Sequence, residues 1–287
     1  MFGAVEAGGT KFVCGIGTGP EDLTVAHVST TSPDATLAAV TDFFRQEKRL
    51  DAVGIGSFGP IDINPGSTQF GHITSTPKSG WRDYNIVGAI RDVLRVPVGF
   101  DTDVNAAALG ESHWGAGRGV TDFIYLTVGT GIGGGAMVNG QMVHGLAHPE
   151  MGHLPIRHDR TRDPFPGCCP YHGDCLEGLA SGPAMQARWG MPAESLPADH
   201  PGWNLEAHYL AQGLTHLVYV LSPQRILLGG GVMRQVCLFD LIRTEMKQAL
   251  GEYVQPGDVL PAQLGSRAGV LGALVLAQQA YQSPAAK

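Results

Sequence analysis

The chain has 287 residues, of which 43% are hydrophobic and only 16% are charged, and its net charge at pH 7 is −7. This length is enough for two lobes that each bury a core, and this composition excludes a disordered chain. The acidic balance argues against a nucleic-acid partner, because phosphate backbones are bound by clustered lysine and arginine. The sequence has neither an apolar run of about 18 residues nor a signal-peptide pattern, so we expect a cytoplasmic protein without a membrane span.

Glycine is over-represented and clustered. The chain has 41 glycines, about twice the usual share of roughly 7%, and their clusters mark places where backbone can approach a ligand. The first cluster is the turn Gly8-Gly9-Thr10-Lys11 inside residues 3–17, which we predict to be strand, tight turn, strand. Such a turn can offer N–H groups, a hydroxyl and an ammonium to a phosphate. An ordinary hairpin turn explains these residues equally well.

The first half continues with alternating helices and strands. In chain order we predict a helix, a strand, a long loop, a helix and a strand at residues 34–48, 51–58, 64–82, 85–94 and 96–100. Ser32 or Asp34 is available to cap the first of these helices. The loop is long enough to suggest a functional role, because long loops in compact domains are usually functional.

A polar sequence follows the strand at 96–100. Asp101-Thr-Asp103-Val-Asn105 leads into an alanine-rich helix, which places Asp103 and Asn105 at the end of a strand, where open α/β sheets bind ligands. An aspartate in this position can cap the helix instead. We expect one of Asp101 and Asp103 to act as the cap and the other to be available as a base.

The second half repeats the strand, glycine turn, strand unit. A strand at 122–128 runs into Gly129-Thr130-Gly131-Ile132-Gly133-Gly134-Gly135. This run nearly matches the dinucleotide-binding pattern G-x-G-x-x-G, but the residues beyond it indicate a strand where that pattern requires a helix. Because the unit occurs at 3–17 and again at 123–138, we expect two similar lobes, each with a phosphate-binding corner at a shared cleft.

Residues 150–181 contain the groups that could bind a soft metal ion. Cys169, His172 and Cys175 fall within seven residues, and His153 lies upstream across a loop that contains prolines. Tetrahedral zinc takes thiolate and imidazole ligands at such spacings. Cys168 competes with Cys169 for the ligand role, and we prefer Cys169 because it gives equal two-residue gaps on either side of His172. The nearby carboxylates Glu150 and Glu177 are not needed for zinc, so we expect them to hold a polar substrate.

The last third predicts a long helix at 205–221 and a strand at 225–228 that ends in Gly229-Gly230-Gly231. Glycines at that point would allow the close approach of a base or a ribose. A helix at about 233–250 follows. The apolar helix at about 267–281 is expected to pack back on one lobe, with a frayed end from Ser283.

Taken together, these motifs resemble the ROK (repressor, open reading frame, kinase) family of sugar kinases. The resemblance covers almost the whole chain, in the family's order, and rests on Gly8-Gly9-Thr10-Lys11, Asp101-x-Asp103-x-Asn105, Gly129-Thr-Gly131-x-Gly133-Gly134, Glu150-x-x-His153, the Cys/His loop and Gly229-Gly-Gly231. Two further stretches resemble its bacterial fructokinase branch, namely Ser75-Thr-Pro77-Lys78-x-Gly80-Trp81 and Cys169-Pro-Tyr-His172-Gly-Asp-Cys175-Leu-Glu177.

The resemblance implies an α/β protein with the actin/hexokinase-like (ribonuclease H-like) ATPase fold, in which two α/β lobes surround a cleft and a loop binds zinc. The expected lobes are residues 1–115 plus 267–287, and 116–266 with the zinc loop 153–175. The implied activity is ATP-dependent phosphorylation of fructose to fructose 6-phosphate. ATP, Mg²⁺ and Zn²⁺ are the implied cofactors, sugar and ATP are the implied small-molecule partners, and a homodimer is common.

The resemblance also assigns residue roles. Asp103 matches the catalytic base, and the sugar-binding positions match Asn105, Glu150, His153 and Glu177. The nucleotide positions match Gly8, Gly9, Thr10, Lys11, Thr130, Gly131, Gly133, Gly229, Gly230 and Gly231. The zinc ligands would be His153, Cys169, His172 and Cys175, so that His153 serves both zinc and sugar through its two ring nitrogens.

Two alternatives and one departure accompany this interpretation. The same fold could phosphorylate mannose, glucose or an N-acetylated amino sugar, and the family also contains sugar-sensing repressors. A repressor needs a DNA-binding segment, whereas few residues precede Gly8 and the chain is acidic. Glu6 stands where most of the family has Asp, so the way in which Mg²⁺ is held is the least determined part of the site.

Overall fold

The computed structural model describes residues 1–47 and 49–282. These residues form two compact units. Unit 1 comprises Met1–Arg118, His144–His148 and Ser266–Lys287, and unit 2 comprises Gly119–Val143 and Pro149–Gly265. The fraying predicted from Ser283 lies outside the described residues, and so does Lys48, the predicted end of the first helix; within the described residues that helix already ends at Phe44. No helix among the described residues is both long enough and apolar enough to cross a membrane.

Twelve strands and eight α-helices make up the described chain. In chain order they are β1 (Phe2–Ala7), β2 (Lys11–Gly17), β3 (Thr24–Ser29), α1 (Pro33–Phe44), β4 (Ala52–Ser57), β5 (His72–Ile73), β6 (Tyr84–Asn85), α2 (Ile86–Leu94), β7 (Val98–Thr102), α3 (Asp103–Trp114), β8 (Phe123–Val128), β9 (Ile132–Val138), β10 (Gln141–Met142), α4 (Leu176–Ala180), α5 (Gly182–Trp189), α6 (Gly202–Leu221), β11 (Arg225–Gly229), α7 (Cys237–Leu250), β12 (Asp258–Pro261) and α8 (Ala268–Gln282). Short 3₁₀ turns lie at Met151–His153, Ala193–Ser195, Val232–Arg234 and Gly265–Arg267.

Unit 1 is built on a five-stranded sheet in the order β3-β2-β1-β4-β7. β1 is antiparallel to β2 and parallel to β4, and β4 is parallel to β7. Every residue of β4 is buried, as expected for a central parallel strand covered on both faces. Val5 packs with residues of α1 and α2, whereas its neighbour Ala4 packs with α8. The alternation of side chains along β1 therefore serves two cores.

Unit 2 repeats this sheet with different strands. Its order is β10-β9-β8-β11-β12, with β8 antiparallel to β9 and parallel to β11, and β11 parallel to β12. One large apolar cluster fills the unit and includes residues of β8, β11, α6 and α7. The duplicated strand, turn, strand unit seen in the sequence thus begins the same five-stranded arrangement twice.

The elements missed by sequence patterns are short or lie at the sheet edge. β3 is an edge strand with mostly exposed residues, so it lacks an apolar face to detect. β12 has four residues and α4 has five, lengths at which periodicity carries little information. The first helix begins after Ser32, but the Ser32 side chain makes no capping hydrogen bond.

Candidate functional site

In unit 1, the first glycine turn joins β1 to β2. The Gly8 N–H donates to the Lys11 carbonyl at 3.0 Å, and the Thr30 hydroxyl donates to the Gly8 carbonyl at 2.7 Å. The Thr30 N–H also donates to the Thr10 carbonyl at 3.0 Å. These bonds hold the turn from one side, while Gly9, Thr10 and Lys11 remain exposed. The turn is therefore preformed and open to a ligand, as an anion-binding corner requires.

Glu6 lies on β1 just before this turn. Burial raises the pKa of its carboxyl, and the Lys11 ammonium and a hydrogen bond from the Val270 N–H oppose that shift. A Cβ placed on Gly269 would come within 2.4 Å of the Glu6 Cδ, so the side chain packs against the start of α8. Its Oε2 is buried and has no hydrogen-bond partner among the described residues.

Asp103 and Asn105 lie where β7 ends and α3 begins. The cap of α3 is Thr102, whose hydroxyl accepts from the Asn105 N–H at 3.0 Å. The expectation that Asp101 or Asp103 caps this helix is therefore wrong. Asp103 is the first residue of α3, and its Oδ1 accepts from the Val104 N–H at 2.9 Å. The positive end of the helix dipole stabilises a carboxylate in this position.

The carboxyl ends of β1, β4 and β7 meet at one edge of the sheet because these strands are parallel. This brings the Gly8–Lys11 turn to the same edge as Asp103 and Asn105. The start of α3 lies close to β4, because a Cβ on Gly56 would meet the Ala106 Cβ at 2.5 Å. Unit 1 thus gathers its predicted base, one predicted sugar-binding residue and one predicted phosphate corner.

Beside them is a polar group that includes residues the sequence patterns did not single out. Asp101 is only 3% exposed, and its Oδ1 accepts from the Asn105 side-chain amide at 2.7 Å. His144 Nε2 lies 2.8 Å from Asp101 Oδ2, and this hydrogen bond raises the pKa of His144. A further histidine, His148, accepts from the Ile61 N–H at 3.2 Å. The available signal was the pair of histidines four residues apart directly before Glu150.

In unit 2, the second glycine turn joins β8 to β9 and is held by Glu177. Glu177 Oε2 accepts from the Ile132 N–H at 2.9 Å, directly after the turn, and a Cβ on Gly131 would come within 2.7 Å of the same oxygen. On the other side, the Gly182 N–H at the start of α5 donates to the Gly129 carbonyl at 2.8 Å. Thr130 at the tip is exposed. Glu177, predicted only as a sugar-binding residue, therefore also positions this turn.

The third glycine cluster follows β11, the parallel neighbour of β8. Gly230 has φ +92°, and a Cβ there would come within 2.2 Å of the Val128 carbonyl oxygen, so only glycine fits between the two strand ends. Nothing lies within 4 Å of the Cβ position of Gly231. The Gly229–Gly231 cluster and the Gly129–Gly134 turn thus lie side by side at the carboxyl edge of this sheet.

The four predicted metal ligands also meet in unit 2. Their ligand atoms all lie within 4.8 Å of one another, in the set His153, Cys169, His172 and Cys175. His153 Nδ1 lies 3.7 Å from Cys169 Sγ and 3.6 Å from Cys175 Sγ, and His172 Nδ1 lies 3.7 Å from Cys169 Sγ. Tetrahedral bonds of about 2.0 to 2.3 Å place neighbouring donors about 3.3 to 3.8 Å apart, so this donor set fits one ion. Cys168 is exposed and outside the cluster.

The fold explains how His153 reaches the other three residues of the cluster, which follow it by 16 or more positions. A Cβ on Gly152 would come within 1.9 Å of the Ile132 carbonyl oxygen, so the turn carrying His153 packs closely on β9. The Leu176 N–H donates to the Leu154 carbonyl at 3.0 Å, which brings the start of α4 beside His153. Burial raises the pKa of Cys175 to about 11, so its thiolate form requires a positive partner such as a metal ion.

His153 approaches the thiols through Nδ1, so the metal would occupy only one of its ring nitrogens. Glu150 is exposed just before the same turn, and its carbonyl accepts from the His153 N–H at 3.0 Å. Unit 2 therefore gathers three predicted sugar-binding residues, Glu150, His153 and Glu177, with two of the predicted nucleotide-binding turns.

Comparison with known proteins identifies the family of this chain. The chain matches the ROK family over residues 2–280. It is 47% identical to a Bacillus subtilis relative, over 100% of this chain and 98% of that protein, and 42% identical to the fructokinase of Pediococcus pentosaceus, over 99% of each.

Solved structures give the same result for the fold. The crystal structure of a ROK family glucokinase from Streptomyces griseus in complex with glucose and AMPPNP has a TM-score of 0.78 and 27% identity, covering 97% of this chain and 99% of that one. The expected actin/hexokinase-like fold is confirmed, and this chain belongs to the ROK family.

Proposed function

We propose that this protein is an ATP-dependent sugar kinase that phosphorylates fructose to fructose 6-phosphate. Similarity to the Pediococcus pentosaceus fructokinase over 99% of both chains is the observation that carries the choice of sugar. A fructokinase of Zymomonas mobilis, 42% identical over 96% of both chains, supports the same choice. Family membership implies ATP and Mg²⁺ as the phosphoryl donor and its metal.

Asp103 is the proposed general base. Phosphoryl transfer needs an aligned hydroxyl, a nearby proton acceptor and neutralised phosphate charge, with little covalent work by the protein. The carboxylate of Asp103 would accept the proton of the sugar's primary hydroxyl, and its place at the start of α3 is one where the helix dipole favours negative charge. Asn105, Glu150, His153 and Glu177 would orient the sugar through its other hydroxyls, which raises the effective concentration of the reacting group.

The glycine turns are the proposed nucleotide contacts. Backbone N–H groups of Gly8–Lys11 and of Thr130, Gly131 and Gly133 would hold phosphate oxygens, with the Lys11 ammonium adding a positive charge. Gly229–Gly231 would lie against the nucleoside. Mg²⁺, when bound with ATP, neutralises phosphate charge. Oε2 of Glu6 is a buried acceptor without a partner among the described residues, which fits a residue that faces a cation or its water.

We further propose that the Cys/His cluster binds Zn²⁺ and that its role is structural. Two thiolates and two imidazoles are a donor set typical of closed zinc sites. The metal would link the 3₁₀ turn of His153 to the start of α4, from which Glu177 reaches the second glycine turn. The resemblance also leads us to propose a homodimer, which light scattering coupled to size-exclusion chromatography tests.

A coupled assay of ADP release over a panel of sugars tests the proposed function. We expect kcat/KM to be highest for fructose, compared with mannose, glucose and N-acetylmannosamine, and the product to carry phosphate on O6. Preference for glucose is the alternative, because the Streptomyces griseus relative is a glucokinase. If no sugar stimulates ADP release by the metal-replete protein, the kinase proposal is wrong.

A further inference from the structure

The segment His144–His148 belongs to unit 1, although the chain on either side of it belongs to unit 2. Two histidines attach it there. His148 accepts from the Ile61 N–H at 3.2 Å, and His144 contacts the buried Asp101 at 2.8 Å. Leu146 between them is 98% exposed, so polar contacts rather than apolar packing fix this segment.

The hydrogen-bond directions around Asp101 follow from its charge. An ionised carboxylate only accepts, so the His144 Nε2–H donates to Oδ2 and the Asn105 amide donates to Oδ1. Oδ1 also accepts from the Thr102 N–H at 2.8 Å. Three donors therefore stabilise a buried carboxylate that would otherwise be costly to desolvate. This arrangement fixes the orientation of both the imidazole and the Asn105 amide.

Two polar atoms beside this carboxylate have no partner within the described chain. The Asn105 side chain is fully buried, yet its Oδ1 makes no hydrogen bond. His144 uses only Nε2, and its side chain is 42% exposed. Buried amide oxygens are nearly always hydrogen-bonded in folded proteins. The Asn105 amide oxygen therefore lacks a partner among the described residues, and it lies next to the His144 imidazole, whose second nitrogen makes no hydrogen bond to them. Together these two groups form an incomplete polar site, and a ligand with several hydroxyl groups is complementary to it.

We propose that His144 is a further sugar-binding residue, that its Nδ1 bonds to a hydroxyl of the sugar held by Asn105, and that Asp101 is the positioning residue for both. This inference rests on the proposed function and deepens it. Asp101 reaches the sugar only through its two neighbours. A group that reads a substrate hydroxyl contributes to specificity, because a sugar that lacks the matching hydroxyl leaves a polar group unpaired.

Steady-state kinetics of variants in the full-length, metal-replete protein test this. We expect His144→Ala to raise KM for fructose by about 10-fold, which corresponds to the loss of one hydrogen bond. KM for ATP should stay within about 2-fold of wild type, and the protein should stay folded. His144→Gln, whose side-chain amide can still form a hydrogen bond with a hydroxyl, should raise KM for fructose by less. His27→Ala is the matched control, because His27 is an exposed histidine of β3 in the same unit.

The role of Asp101 is tested by a double-mutant cycle. Asp101→Asn should raise KM for fructose, and the rise should be smaller in the His144→Ala background, because the part of the Asp101 effect that passes through His144 is then already lost. Fructose binding measured by calorimetry without ATP should follow the same pattern. A residue needed only for folding would change KM for ATP and kcat as well.

The possible outcomes distinguish failure of this inference from failure of the proposed function. If wild type phosphorylates fructose and His144→Ala has unchanged KM and kcat, His144 does not contact the sugar and the inference is overturned. If His144→Ala raises KM for fructose and KM for ATP by the same factor, the inference is also overturned, because such a result indicates a structural role. If wild type neither binds nor phosphorylates fructose, the proposed function is overturned and the assignment of His144 to fructose with it.

Discussion

The two units share a five-stranded sheet with one strand order, yet they support the glycine turn at its edge differently. In unit 1, Thr30 of the neighbouring segment holds the Gly8–Lys11 turn through its hydroxyl and its backbone N–H. In unit 2, a carboxylate from a helix, Glu177, holds the Gly129–Gly131 turn. That helix begins directly after the cluster residue Cys175. The same scaffold is stabilised by local hydrogen bonds in one unit and, in the other, by a side chain from a helix that starts at the Cys/His cluster.

The difference extends to the chemistry that each unit offers. Unit 1 presents oxygen and nitrogen groups at the start of α3, including the carboxylate of Asp103, and these groups suit proton transfer and sugar binding. Unit 2 presents thiols and imidazoles at the start of α4, which suit a closed metal site. Two sheets with the same strand order therefore carry different chemistry at their edges, because function resides in the side chains at the strand ends rather than in the strands.

The largest effect is expected in unit 1. We predict that Asp103→Asn lowers kcat by about 10²-fold or more, because the general base is lost while the shape is kept, and that fructose binding measured by calorimetry changes little. Asp92→Asn, an exposed change on α2, is the control and should leave kcat unchanged. Near-normal turnover of Asp103→Asn would remove this residue from the base role.

The next largest effect tests whether unit 2, unlike unit 1, depends on a bound metal ion. We predict about one zinc ion per chain by metal analysis. Cys169→Ser should lower activity by at least about 10-fold, because loss of a metal ligand should cost at least as much as loss of a residue that only orients a ligand. The 153–175 loop should become sensitive to protease, whereas segments of unit 1 should keep their protection. Cys168→Ser is the matched control, because Cys168 is exposed and outside the cluster. Active protein without bound metal would contradict this prediction.

A third experiment asks whether Glu177 connects the helix that follows the Cys/His cluster to the second glycine turn. Loss of a charge-assisted hydrogen bond of about 1.5 to 3 kcal/mol predicts a rise of at least about 10-fold in KM for ATP for Glu177→Ala. Glu177→Gln, whose amide oxygen can still accept from Ile132, should lose less. Glu252→Ala changes an exposed glutamate of the same unit and serves as the control. An effect on KM for the sugar alone would limit Glu177 to sugar binding.

The smallest expected effect is on stability alone, and it follows from a comparison of two buried carboxylates. Asp101 in unit 1 has its donors, whereas Glu206 in α6 of unit 2 is fully buried with neither oxygen hydrogen-bonded among the described residues. Burial raises the pKa of Glu206 well above 4.5, against the opposing charge of Arg188. A raised folded-state pKa means that its stabilising contribution is complete below the unfolded-state value and is lost as pH rises through the folded-state value.

We therefore predict that the free energy of unfolding of wild type falls relative to Glu206→Gln as pH rises above about 4.5, by at most about 1.4 kcal/mol per pH unit. Urea denaturation at several pH values measures this difference, and Glu252→Gln is the control. A difference that is constant with pH would show that Glu206 has the same pKa in the folded and unfolded states.

Much of the site could be predicted from local patterns. Glycine turns between apolar runs predicted both β-turn-β units, because backbone conformation at a tight turn depends on the residues in it. Cys169, His172 and Cys175 were predicted as ligands because two-residue gaps bring donors to one ion, and the structure brings them together with His153. The capping role expected of Asp101 or Asp103 was wrong, since Thr102 between them had the better-placed hydroxyl.

The sequence by itself determined the family, the order of the main elements and the residues at the glycine turns, because each of these depends on residues close together in the chain. Only the tertiary structure decided which distant groups meet. His144 contacts Asp101 across 43 residues, and Glu177 contacts Ile132 across 45. Such contacts depend on how parallel strands and the helices between them pack, and no periodicity within a short window of sequence records that packing.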